Sequence, residues 1–552
     1  VAPRINAFNY GLIEEELVSQ AVHHGPKKLS VAFCYPNNYS LGMSNLGFQM
    51  LYSRGLAHKA IFADRFFADA KIASRYLSVS KKMDLRQFDV IIFSISYELD
   101  YIQMAMMLEE SGIAAIAATR NADAPLVIAG GIAPTINPLT VAQLADAVFL
   151  GEGDALVDVL FNLLLRDNDK SKLYQLEALA NEMQGIYVPL DLHRVNLKNT
   201  TIIPGHYSAF ASSPPATTIF SPQFAFASML LLETVRGCQG SCRFCAAGFV
   251  LRPFRSVSPS VVFSLAEKNK AFTQKIGLVG ASVLDHPAID EILEGLIDRK
   301  ISLTVSSVRA SAASPEIMNL LAQGGMKSVA FAPETASIEL RNAINKHFTY
   351  DELEQAVINS LDSGIKRIKL YYMVGLPGEI DEDILKNVRE IEKVFKTLRS
   401  FNQNAHLSVT ASVFVPKLGT PLQWCDFIGV EGARQRLELF KKELRQAAPG
   451  VYFLPESPKE AALQAIFAED DGSIGKMLPT IIAKGSKYQH FKNYATEMTN
   501  KEAAIRMRAD LIAAPVREDF LINEYKSSLA RVRTSRCHSE CSKCGACAQG
   551  VD

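Results

Sequence analysis

Between residues 28 and 165 the chain alternates short apolar runs with longer stretches in which apolar positions recur at helical spacing. The runs LSVAFCYP, DVIIFSISY, PLVIAGG and DAVFLGEGD lack polar alternation, as strands covered by helices on both faces do. Each leads into a loop carrying Gly, Pro, Asn or Ser. Strand and helix in regular succession predict an open, doubly wound parallel sheet, in which ligands sit at the carboxyl ends of the strands. The polar stretch NLKNTTIIPGHYSAFASSPPATTIFSPQ then breaks the pattern and reads as a linker. From Leu231 the alternation resumes in KIGLVGA, ISLTVSSV, KSVAFAPE, IKRIKLYYMVGLP and AHLSVTASVFVP, with IDEILEGLIDR and YDELEQAVINSLDSG as helices between them. These units predict a second parallel array, a partial or full TIM-type barrel. Later segments, EAALQAIFAED and KEAAIRMRADLIAA, are helical.

The expected class is therefore α/β. Residues 1–190 form a doubly wound (Rossmann-like) domain with an N-terminal extension, 191–230 a linker, 231–450 the barrel, and 451–552 a mainly helical region ending in a Cys-rich tail. A chain of 552 residues has room for this division at about 150 residues per domain.

Charge narrows the partners. Lys+Arg 58 equals Asp+Glu 58, so no basic excess favours a nucleic-acid backbone. No apolar run approaches the roughly 18 residues of a membrane span, and VAPRINAFNYGLIEEELVSQ lacks the basic and apolar regions of a secretory leader. A cytoplasmic protein is expected. Of nine cysteines, Cys34 and Cys425 are isolated, and the other seven form two tight groups. Such groups in a long, non-secreted chain favour metal over disulfides.

The first group lies in ETVRGCQGSCRFC, where Cys238, Cys242 and Cys245 follow a strand. Three thiolates on one loop hold an iron–sulfur cluster with one iron left open to a small molecule, or a zinc ion completed by a distant ligand. The second group, Cys537, Cys541, Cys544 and Cys547, suits a closed iron–sulfur cluster or zinc. Either metal would staple a tail too short to have an apolar core, and His538 is a bystander in it.

The run CQGSCRFC, with Phe244 before its last cysteine and a barrel-like pattern after it, resembles the radical S-adenosylmethionine (SAM) superfamily. The resemblance covers roughly residues 231 to 450. Within it, SSVRAS, FAPETAS, LRNAINK, YYMVGLPGE and FVPKLGTPLQW are similar to barrel signatures of members with a cobalamin-binding-type domain in front. The resemblance implies a 4Fe–4S cluster on Cys238, Cys242 and Cys245, with SAM chelating its fourth iron. An electron from the cluster splits SAM into methionine and a 5′-deoxyadenosyl radical. In this reading Arg309 pairs with the SAM carboxylate and Glu334 with its amino or ribose groups, while Phe244, Gly280 and Gly375 lie along the methionine or adenine. Arg236 is either near the cluster or an ordinary surface residue, and the tail becomes a second 4Fe–4S cluster or zinc. A low-potential flavodoxin or ferredoxin is the implied electron donor, and the substrate is a small molecule or peptide.

The first domain lacks the DxHxxG sequence that places a His under cobalt; its first strand leads into CYPNNYSLGMSNLG. A cobalamin bound without that His would rest on strand-end residues, for which Ser94, Ser96, Gly130, Gly131 and Glu152 are candidates. The two glycines are equally explained as turns, and the domain as one that binds no corrin. With cobalamin the expected reaction is methylation of an unactivated carbon. Without it, the tail cluster points to an oxidation, a rearrangement or sulfur insertion, and the most distant alternative is a non-catalytic electron-transfer protein. Asp285 and His286 follow a strand and either line the substrate pocket or, for Asp285, cap a helix.

Overall fold

A computed structural model describes residues 15–17, 27–69, 71–72, 75–189, 201–306, 308–538 and 541–547. The chain forms two compact units, one of residues 1–208, 215–228 and 466–514, the other of 209–214, 229–465 and 515–552.

The first unit is built on a six-stranded sheet of β1 (Leu29–Tyr35), β2 (Ile61–Phe67), β3 (Val90–Ser94), β4 (Leu126–Gly130), β5 (Ala147–Phe149) and β6 (Ile186–Tyr187). Its order is β2-β1-β3-β4-β5-β6, parallel except for the antiparallel β6. Val31, Phe33, Ile92 and Ile128 are buried in its core, which is why these strands read as unbroken apolar runs. The apolar pattern conceals β2. IFADRFF carries Asp64 and Arg65 in its middle, and both are buried. Arg65 pairs with Glu15 at 2.6 Å, and Asp64 accepts from the backbone N–H groups of Ser80 and Lys81, so each charge is satisfied inside.

Residues 451–552 do not form one body. The helices Ser473–Ala483, Tyr488–Met498 and Lys501–Leu511 belong to the first unit. Buried Asn137 donates to the carbonyls of Phe467 and Asp470 (3.3 and 2.9 Å), and Thr140 donates to the Asp470 carboxylate at 2.8 Å. Arg508 reaches the Ile136 carbonyl at 2.6 Å. These polar partners lie some 330 to 370 positions apart in sequence, a separation that no local pattern reveals.

The second unit carries β7 (Leu230–Glu233), β8 (Lys275–Val279), β9 (Ser302–Val305), β10 (Ser328–Glu334), β11 (Arg367–Val374), β12 (His406–Val413) and β13 (Tyr452–Pro455). They form two parallel ladders, β7-β8-β9 and β10-β11-β12-β13. The Val308 N–H bonds the Ala330 carbonyl at 3.0 Å and joins one ladder to the other, giving a partial barrel. Helices such as Ile289–Asp298, Tyr350–Asp362 and Asp381–Phe401 connect the strands. Tyr350–Asp362 starts on a capping box, with Thr349 and Glu352 exchanging bonds of 3.2 and 2.6 Å. Strand alternation also separates Tyr371, which is exposed, from Tyr372, which is buried and donates to Glu390 on the Asp381–Phe401 helix at 2.8 Å.

Candidate active site

The three-cysteine loop leaves the carboxyl end of β7. Gly237 turns the chain at φ 73°, and a Cβ there would meet the Leu251 carbonyl oxygen at 2.6 Å, so only glycine fits. Gly240 lies between two sulfurs: a Cβ on it would stand 3.2 Å from Cys238 Sγ and 3.9 Å from Cys242 Sγ. The Cys245 N–H bonds the Cys242 carbonyl at 3.0 Å and folds the third thiol back toward the others.

All three cysteines line one cavity of about 190 Å³ at the strand ends, together with Arg309, Glu334 and Phe244. Burial raises the Cys242 thiol and pushes Cys245 up to about 12, so neither is a thiolate at neutral pH without a metal to replace its proton. Lys346 pairs with Glu334 at 2.9 Å. Burial opposes its charge, but Glu334 outweighs that and holds Lys346 protonated. Glu334 itself sits at φ 65°, a left-handed conformation that costs a non-glycine residue about 1–3 kcal/mol and is retained where the surroundings dictate it. Arg309 pairs with Asp285, whose side chain is buried. Three polar atoms of residues at this cavity, Ser282 Oγ, Arg309 Nε and His347 Nε2, are buried without a hydrogen-bonding partner among the described residues. Thiols that need a metal and orphaned polar atoms that need a ligand fit an iron–sulfur cluster with a charged, polar molecule beside it.

Comparison with known proteins agrees with this chemistry. Residues 47–189 match the family of radical SAM proteins, N-terminal, and residues 232–391 match the radical SAM superfamily. The chain belongs to the radical SAM superfamily. An uncharacterised protein of Methanocaldococcus jannaschii is 25% identical over 451 residues, covering 81% of this chain and 90% of that one. Among solved structures, the radical SAM methyltransferase TsrM from Kitasatospora setae, with tryptophan and a SAM analogue bound, aligns at a TM-score of 0.51 and 11% identity. That alignment covers 83% of this chain and 100% of TsrM, and shows the fold. The cobalamin-dependent SAM radical enzyme OxsB aligns at a TM-score of 0.47 and 13% identity over 91% of this chain and 79% of its own.

In this radical SAM enzyme several residues that stand out in sequence lie away from the cavity or have other partners. Gly280 and Gly375 are not among the residues that line it. A Cβ on Gly280 would strike the Val235 carbonyl oxygen at 2.6 Å, and one on Gly375 would meet Ile428 at 2.9 Å, so each is glycine for internal packing. Asp285 caps no helix: the following helix begins at Ile289 with Ala288 at its cap position, and the carboxylate serves Arg309 instead. His286 is buried, bonding the Val257 carbonyl and the Ala288 N–H at 2.6 and 3.0 Å. Arg236 pairs with Glu233 at 2.7 Å and stacks over Phe210.

The charges that complete the site were harder to see. Lys346 ends the LRNAINK stretch but carries no distinguishing spacing, and Arg243 looks like a surface residue inside CQGSCRFC. Arg243 is instead fully buried, paired with Glu524 at 2.9 Å, and donates to the carbonyls of Asn342, Ala343 and Val532. In the Cys-rich tail, Cys544 is buried against Phe249 and Leu521, Cys547 is exposed, and the Cys537 N–H bonds the Gln239 carbonyl at 3.1 Å.

In the first unit the sheet order reverses between β1 and β3, which opens a crevice at their carboxyl ends. Asn45 donates to the Ser96 hydroxyl at 3.1 Å, Tyr35 lies 3.4 Å from the same oxygen, and Asn37 donates to Asp100 at 3.3 Å. Ser96 is thus the one sequence candidate in this polar cluster. Ser94 is buried in β3, and Glu152 accepts from the Tyr207 N–H at 2.9 Å. A Cβ on Gly130 or Gly131 would collide with Phe149 or the Ile95 carbonyl oxygen, at 2.8 and 2.2 Å, so packing requires both glycines.

Burial pushes the Asp100 carboxyl up to about 7, from an ordinary 3.8. The folded state therefore binds a proton that the unfolded chain lacks between these two values, and this contribution to stability is lost as pH rises through the upper one. Asp100→Asn, which cannot ionise, is expected to raise the melting temperature of the first unit relative to the unmodified protein more at pH about 8 than at pH about 5. Calorimetry of both proteins at the two pH values checks this, and an equal shift at both would show that Asp100 does not titrate in that interval.

Proposed function

We propose that the chain cleaves SAM reductively in the three-cysteine cavity and methylates an unactivated carbon, using cobalamin held at the strand ends of the first unit. The observation that carries the SAM reading is the convergence of Cys238, Cys242 and Cys245 on one cavity with Arg309, Glu334 and Lys346. A 4Fe–4S cluster on the three thiolates supplies the electron that splits SAM into methionine and a 5′-deoxyadenosyl radical. The protein's part is to bind and orient. Phe244 offers an apolar face, being half-buried against Leu340 and Leu376. Arg309, already aligned by Asp285, presents its guanidinium to a carboxylate, and Glu334 receives an ammonium or ribose hydroxyl. Lys346 keeps Glu334 in place and offsets the negative charge of the thiolates.

Methyl transfer is supported by the crevice between β1 and β3 and by the fold shared with the methyltransferase TsrM. Cobalamin supplies the methyl group in this reading. Asn37, Asn45, Ser96 and Asp100 offer amide, hydroxyl and carboxyl groups suited to hydrogen-bonding polar substituents of a corrin or its nucleotide tail. A low-potential flavodoxin or ferredoxin is the proposed electron donor, and the tail cysteines a second 4Fe–4S cluster or a zinc site.

The test is an anaerobic titration of the reconstituted protein with hydroxocobalamin, followed by desalting and cobalt analysis. About one cobalt per chain is expected, with S-adenosylhomocysteine formed beside 5′-deoxyadenosine during turnover. Loss of all cobalt on desalting would remove methyl transfer and leave SAM cleavage standing. Among the described residues no helix is long and apolar enough to cross a membrane.

A further inference from the structure

We propose that the C-terminal strap, residues 532 to 538, completes the SAM cavity by delivering Arg536 to it, so that affinity for SAM depends on the docking of the strap. The inference rests on the reading of the three-cysteine cavity as the SAM site.

Arg536 lines that cavity although it lies almost 300 residues beyond Cys238 in sequence. The strap is fixed by polar bonds to the segments that build the site. Thr534 exchanges two bonds with Asn345, accepting from Nδ2 at 2.9 Å and donating its N–H to Oδ1 at 3.0 Å. The same Asn345 Nδ2 reaches the Ser241 carbonyl in the cysteine loop at 3.1 Å. The Thr534 hydroxyl donates to Glu524 at 2.8 Å, and Arg243 of the cysteine loop bonds both Glu524 and the Val532 carbonyl. Arg533 reaches Asn342 at 2.6 Å, and the Cys537 N–H closes the strap onto Gln239. Bonds before and after Arg536 thus leave its backbone little freedom.

Charge gives this residue its task. Of the three cations lining the cavity, Lys346 is bonded to Glu334 and Arg309 to Asp285. Arg536 instead donates to a carbonyl, that of His347, at 2.6 Å, which orients the guanidinium without neutralising it. Arg309 and Arg536 both face the Asp285 carboxylate, and among the described residues lining the cavity Arg536 is the cation without a direct ion pair. Arginine has five N–H donors in a planar fork that matches a carboxylate, and Arg536 would share with Arg309 the one that the methionine part of SAM carries.

The experiment is equilibrium dialysis of SAM against anaerobically reconstituted full-length protein, with iron and sulfide measured on each sample and the reduced-cluster electron paramagnetic resonance spectrum recorded with and without SAM. At iron content equal to the unmodified protein, Arg536→Gln is expected to weaken SAM binding about 10- to 100-fold, the loss of a charged hydrogen-bond pair. The SAM-induced spectral change should require correspondingly more SAM. Arg536→Lys, which keeps the charge but not the fork, should fall between, and Thr534→Val, which leaves Arg536 intact but loosens the strap, should raise the Kd severalfold. Unchanged affinity in either Arg536→Gln or Thr534→Val at full iron content overturns the proposal. Failure of the unmodified, cluster-loaded protein to bind SAM would instead overturn the SAM reading on which it rests.

Discussion

Arg243→Met is expected to destabilise the second unit by about 3–5 kcal/mol, the cost of leaving one partner of a buried ion pair without the other. The Arg243 side chain has no exposed surface, and its partner Glu524 is 7% exposed. Removal would strand the Glu524 carboxylate and withdraw the donor from the carbonyls of Asn342, Ala343 and Val532. The loss falls on tertiary attachment: Arg243 ties the cysteine loop to the Glu518–Leu529 helix and to the strap. Trp424, the chain's single tryptophan, packs 5.3 Å from Tyr525 on that helix, so its fluorescence reports unfolding of this region in guanidinium. Glu524→Gln should also destabilise, and the double replacement should cost less than the sum of the two, because each single change leaves one buried charge unpaired. Additive losses would mean that the pair is not coupled. A midpoint for Arg243→Met equal to that of the unmodified protein would show that the residue carries no tertiary load.

The second large effect is chemical. Cys242→Ala is expected to abolish 5′-deoxyadenosine formation and to lower the iron content by about four atoms per chain, since two thiolates do not retain a 4Fe–4S cluster. Cys242 sits centrally, with Gly240 between its sulfur and that of Cys238, and its neighbour Lys346 is placed to offset thiolate charge. Any iron that the tail binds would persist in this variant, and Cys541→Ala tests for it by removing a cysteine of the other group alone. Continued SAM cleavage by Cys242→Ala would sink the assignment of the cavity, whatever the tail holds.

Much of the architecture is legible in one dimension because burial on both faces leaves continuous apolar runs at β1, β3, β4 and β5, while β11 and β12 carry instead the period-two alternation of buried and more open positions. Where the strand face carries charge the signal fails. β2 holds Asp64 and Arg65 in a buried position, and only their satisfied bonds make that tolerable. The cysteine loop was legible for a different reason: cluster ligation demands three thiolates at close spacing on one short segment, and no ordinary packing requirement produces CQGSCRFC. Glycine was the least informative residue type. Gly130, Gly131, Gly280 and Gly375 invite a ligand-cradling role, yet the space where each Cβ would stand is filled by the protein itself.

The sequence by itself determined the two parallel arrays, the chemistry class carried by Cys238, Cys242 and Cys245, and the existence of a second cysteine group at Cys537 to Cys547. Periodicity and ligand spacing are local properties, and both are set by neighbours a few positions apart. Only the tertiary structure decided that residues 466–514 complete the first unit, that Arg243 is a buried tie rather than a surface charge, and that Lys346 and Arg536 join Arg309 at one cavity. Those outcomes depend on which distant carbonyl or carboxylate satisfies a buried polar group, and that choice is made when the chain packs, since burying a charge is tolerable only where a partner already waits.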